Sequence, residues 1–136
     1  MIAPMVKIIP LIGVYFIYLT TFALAGGAKF VEGKVPEWFS KQFESSFLAK
    51  FPGVGPCYWT IAILESVVAL LVMVSLFRLE FTMAHPVFLQ LAVGIASIIF
   101  GILAFGQRLV ADFAGAANSF FYFAATLVTQ LYLMKL

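Results

Sequence analysis

Glu65 is the residue of this chain whose type and position most require a chemical explanation. It lies inside a long apolar run, and a carboxylate there must face inward and be paired or keep its proton. Two roles fit it. One is a proton-exchanging or ligand-binding carboxylate; the other is a structural pair tying its helix to a neighbour. Depth names the partners. At a helical rise of about 1.5 Å per residue, Glu65 sits about 12 Å from the start of its run near Cys57. Lys29 ends the preceding run, Arg108 and Asp112 flank a short polar turn, and Asn118 lies at a similar or shallower level on the last run. Glu65, Lys29, Arg108, Asp112 and Asn118 therefore form the expected intramembrane polar site, with a tyrosine as a further hydrogen-bonding partner. With a cation beside it the carboxylate stays ionised; with only neutral partners it holds its proton.

Other chemistries find few residues. His85 is the only histidine and Cys57 the only cysteine. A metal centre, a two-sided haem ligation or a thiol–disulfide pair therefore has no ligand set. There is no GxGxxG or phosphate loop, and no nucleophile–histidine–acid set that His85 could complete from the opposite end of the bundle. No catalytic residue, metal or covalent cofactor is expected, and lipid or quinone stays open as a ligand. The net charge is +2 with scattered basic residues, which gives a nucleic acid nothing to bind.

The elements that position these groups follow from composition. The chain has 136 residues, 64% hydrophobic and 10% charged, against about a quarter charged in a soluble domain. Its solvent must be largely lipid, where every backbone polar group has to be satisfied within its own segment. That predicts helices, and at roughly 20 residues per crossing the length holds four. The predicted spans are 8–28, 57–77, 86–106 and 113–134, in a single domain, residues 1–136. Lys7, the following apolar run and Ala23-Leu24-Ala25-Gly26 resemble a cleavable signal, but the run is long enough to span and is expected to be a retained helix. Between the first two spans, Phe39, Phe43, Phe47 and Phe51 recur every four residues after Pro36 and before Pro52-Gly53. This predicts an interfacial amphipathic helix over 36–51, either an anchor in lipid or a lid over a site. The predicted fold class is thus all-α integral membrane: a four-transmembrane-helix bundle with an interfacial helix in the first loop.

Helices associate in lipid through small residues and interhelical hydrogen bonds. On the third span Gln90, Gly94, Ser97, Gly101, Ala104 and Arg108 fall on one face, and on the fourth Gly115, Asn118, Tyr122, Ala125 and Thr129 do. Gly94, Ser97, Gly101 and Gly115 are the expected close-packing positions, and Gln90 is expected to meet Gln130 across the two spans. Four spans place both termini on one side. The loop side holds Lys29, Lys34, Lys41, Lys50 and Arg108, so a literal positive-inside count puts the loop in the cytoplasm.

Three segments resemble the DoxX-like family of small four-helix membrane proteins: Gly26-Gly27-Ala28-Lys29-Phe30, Ala62-Ile63-Leu64-Glu65, and Gly106-Gln107-Arg108 through Asp112. The order and spacing of the spans fit over nearly the whole chain. The resemblance implies a multi-pass protein of the bacterial cytoplasmic (inner) membrane with termini inside, opposite to the lysine count, and that orientation is the one expected. It also implies an accessory membrane subunit whose partners are the bilayer and other membrane subunits of a redox or energy-converting complex. A quinone-linked subunit of a sulfur-compound:quinone oxidoreductase is the alternative, and a small ion or solute conduit using Glu65 and Asn118 a further one.

Overall fold

Apolar runs in this sequence become helices, and no strand is found among the described residues. The computed structural model describes the backbone of residues 2–136 and the side-chain surroundings of residues 5–136. The helices are α1 (Ile2–Glu32), α2 (Glu37–Phe43), α3 (Val54–Phe77), α4 (Val87–Leu109) and α5 (Phe113–Met134), with single 3-10 turns at Phe47–Ala49 and Glu80–Thr82.

Helix α1 begins earlier than expected, so Pro10 lies in its interior rather than its first turn and removes one backbone hydrogen bond there. Gly33 closes α1 in the left-handed region, φ +72°, its N–H donating to Lys29 O at 3.1 Å. The predicted loop helix is shorter than 36–51. It is α2 followed by the separate turn at Phe47–Ala49, because Ser46 adopts an extended backbone between them.

Three helices, Met5–Glu32, Val54–Phe77 and Val87–Leu109, are long and apolar enough to cross a membrane. Helix α5 is 22 residues long but falls short in apolarity, since Asn118, Ser119, Thr126, Thr129 and Gln130 interrupt it. The long helices pack in chain order: α1 against α3, α3 against α4, and α4 against α5. Between α1 and α5 an open groove remains, lined by Tyr18, Phe22, Tyr122 and Thr129 among others.

The core lies where α1, α3 and α4 meet, around Tyr15, Phe22, Val68, Val72, Leu89, Val93, Ala96 and Ile99. This corrects the expected inward stripe of α4. A Cβ added at Gly94 or Gly101 would meet no atom within 4 Å, and Ser97 spends its hydroxyl on Gly94 O of its own helix at 2.6 Å. The fully buried face is Leu89, Ala92, Val93, Ala96 and Ile99, with the glycine stripe only half-buried to one side of it. The close approach between helices is made by Gly26 instead, where an added Cβ would lie 2.7 Å from Ser66 Oγ and 3.1 Å from Ser66 N. Gly115 belongs to a cap: the space of its missing side chain is taken by Asp112.

Candidate functional site

Lys29 stands in the last turn of α1, where a cation is favoured by the helix dipole. Gly26, one turn earlier, lets α1 press on α3 at Ser66, next to Glu65. The result is an ion pair, Lys29 Nζ to Glu65 Oε1, at 2.7 Å. Glu65 is buried among the side chains of the bundle. The contact is ionic rather than an aligned hydrogen bond, since the buried Oε1 accepts none. Lys29 also reaches Ala25 O at 3.5 Å and lies 5.9 Å from the centre of the Tyr58 ring.

Helix α2 lies over this pair. Phe39 packs edge-on against Tyr58, ring centres 5.1 Å apart, and Phe43 covers Gly106 of α4. Trp38 and Phe39 line a cavity with Lys29, Glu32, Tyr58 and Glu65, and a second, apolar cavity with Cys57, Ile61 and Leu103. Phe39 and Phe43 turn toward these cavities, while Trp38, Phe47 and Phe51 of the same segment are exposed.

The remaining expected members do not join the site. Arg108 is exposed and stacks on Phe113, 5.0 Å from the ring centre. Asp112 caps α5, accepting from Gly115 N–H at 3.0 Å. Asn118 is exposed on the outer face of α5. Helical phase explains the split: the buried positions of α5 are Ala116, Ser119, Thr126 and Leu133, so its polar residue at this level is Ser119, not Asn118. Ser119 lies 2.6 Å from the side-chain amide of Gln107, and with the amide nitrogen oriented toward Ser119 it also donates to Gly115 O (2.8 Å) and Leu103 O (3.1 Å). At the far end Gln90 donates to Leu133 O at 3.2 Å rather than meeting Gln130, whose Oε1 is buried without a partner.

A second buried carboxylate, absent from the sequence reading, is Glu80. Its Oε1 accepts from Ser75 Oγ (2.6 Å), Phe88 N (3.1 Å) and Leu89 N (3.2 Å), and Tyr15 Oη extends the chain to Ser75 at 2.7 Å. Pro86 at the start of α4 has no acceptor on its side chain to cap the helix, and Glu80 supplies one from the preceding turn. The available signal was an acid shortly before an apolar run that opens with proline. His85 is exposed at this end. No group of three or more His, Cys, Asp or Glu residues able to hold a metal occurs among the described residues.

No family model, curated protein or solved structure matches the chain significantly.

Proposed function

We propose that the chain is a four-span, DoxX-like accessory subunit of a larger membrane complex, in the bacterial cytoplasmic membrane with both termini inside. One observation carries the reading. The three segments that bear the resemblance lie more than 30 residues apart in the chain yet work at one end of the fold. Lys29 pairs with Glu65, Gly106 receives Phe43 of α2, and Asp112 caps α5. The ion pair ties α1 to α3 and the Phe43 contact ties α2 to α4, as expected of a scaffold.

Helix α5 fits the fourth span. Its 22 residues reach about 33 Å, enough for a hydrocarbon core of about 30 Å. Thr126 and Thr129 satisfy their hydroxyls on Phe123 O and Ala125 O of their own helix, at 2.6 and 2.9 Å. Its outer face presents Phe113, Phe120, Phe121, Leu127, Val128 and Leu131. Helix α2 then lies along the interface, its lysine toward lipid phosphates.

Two measurements test this. Membrane-impermeant labelling of single cysteines placed at Lys7 and at Lys135 should report the same side, whereas opposite sides would remove α5 as a span. In a mild detergent extract of the native membrane, the tagged chain should migrate with defined partner subunits. Migration as a free monomer would refute the accessory role.

A further inference from the structure

Two cavities adjoin beneath α2, of about 380 Å³ and about 360 Å³. They share Trp38, Phe39, Ile61 and Leu103 as lining. Each lies within the size range of small-molecule sites. Their chemistry is opposed. The first is bounded mainly by apolar side chains such as Phe43, Leu48 and Ile102; the second holds Lys29, Glu65 and the Tyr58 ring. Glu65 is only 6% exposed, and its buried oxygen accepts no aligned hydrogen bond. Lys29 carries three N–H donors and has for them only the ionic contact and a long approach to Ala25 O.

We propose that this double cavity binds a neutral amphiphile with a hydroxyl-bearing head, the head against the Lys29–Glu65 pair and the apolar body under α2. A charged head is disfavoured because the pair is already compensated, and a further buried ion would stand without a partner. A hydroxyl suits the pair because one atom donates to the carboxylate and accepts from the ammonium. Trp38 and Phe39 line both cavities, so α2 is the cover of the whole site. The site is independent of whether the chain has partner subunits.

Cys57 lines the apolar cavity and is the sole cysteine, so its alkylation by a maleimide reports occupancy. The experiment uses the full chain in phosphatidylcholine nanodiscs with hexadecanol, 4-dodecylphenol, hexadecyl sulfate and hexadecyltrimethylammonium as probes. At least one hydroxyl probe should slow alkylation fivefold or more, and the two charged probes should not. The stronger of the two hydroxyl probes separates an aliphatic from an aromatic head. No protection by either hydroxyl probe, or equal protection by the charged ones, would overturn the proposal. The variant K29M/E65L leaves no charge unpaired. It should need about tenfold more hydroxyl probe for the same protection, the loss of one hydrogen bond to a charged group. Protection unchanged in that variant would also overturn it; the probe comparison on the native chain stands by itself if the variant does not fold.

Discussion

Breaking the Lys29–Glu65 pair from its two ends should cost unequal amounts. The side chains are 23% and 7% exposed, so the carboxylate is the more deeply buried partner. Removing one member of a fully buried pair costs about 3–5 kcal/mol. In Lys29→Met the stranded group is Glu65, the more deeply buried of the two, and about 4 kcal/mol is expected. In Glu65→Gln the stranded group is Lys29. It retains the Tyr58 ring, the favourable end of the α1 dipole and partial access to water, so about 2 kcal/mol is expected. At about 3.5 °C per kcal/mol for a chain of this size, the thermal midpoints should fall by about 14 °C and about 7 °C. K29M/E65L restores charge balance with apolar groups and should lie close to the native chain. Midpoints measured in one detergent give the full double-mutant cycle. If Lys29→Met is no more damaging than Glu65→Gln, the carboxylate does not depend on this cation and the pair is not ionic. If the double variant is as unstable as the worse single one, the residues have a structural role beyond pairing.

Gly26→Val should destabilise the α1–α3 contact by about 1–3 kcal/mol, because its side chain meets Ser66 backbone as well as Ser66 Oγ. Gly101→Ala, with open space at its Cβ, should instead stabilise by about 0.5–1 kcal/mol in the same thermal assay, and a loss there would show a packing role at that position. Glu80→Ala should cost about 3 kcal/mol, since it uncaps α4 and strands Ser75, while Tyr15→Phe should cost only about 1 kcal/mol. Equal effects of these two would mean that Glu80 acts through Tyr15 rather than on the α4 N–H groups. Asn118→Leu, on an exposed position, should leave the midpoint of the isolated chain within about 0.5 kcal/mol; a larger loss would place Asn118 in the core.

Composition alone pointed to lipid as the medium and to helices as the elements. A chain 64% hydrophobic and 10% charged has no other way to satisfy its backbone, and its apolar runs gave α3 and α5 to within a few residues. That Glu65 must face inward and find a polar partner was equally legible, because a carboxylate inside an apolar run cannot stand alone. Which partner answers it was decided in three dimensions. Lys29, Arg108 and Asn118 share a level, but each residue turns a helix by about 100°, so a shift of one position moves a side chain from the core to the surface. Lys29 arrives because Gly26 lets α1 close on α3 beside it, whereas Asn118 is turned outward and Ser119 inward. The inward face of α4 was hidden for a related reason. In lipid, a stripe of Gly94 and Gly101 and a stripe of Ala92, Val93 and Ala96 are equally plausible packing faces by composition. Only the contacts with α3 and α5 choose between them. Glu80 needed the turn itself: Leu79 in the left-handed region, φ 57°, swings the chain back, and an acid eight residues before Phe88 becomes the cap of α4.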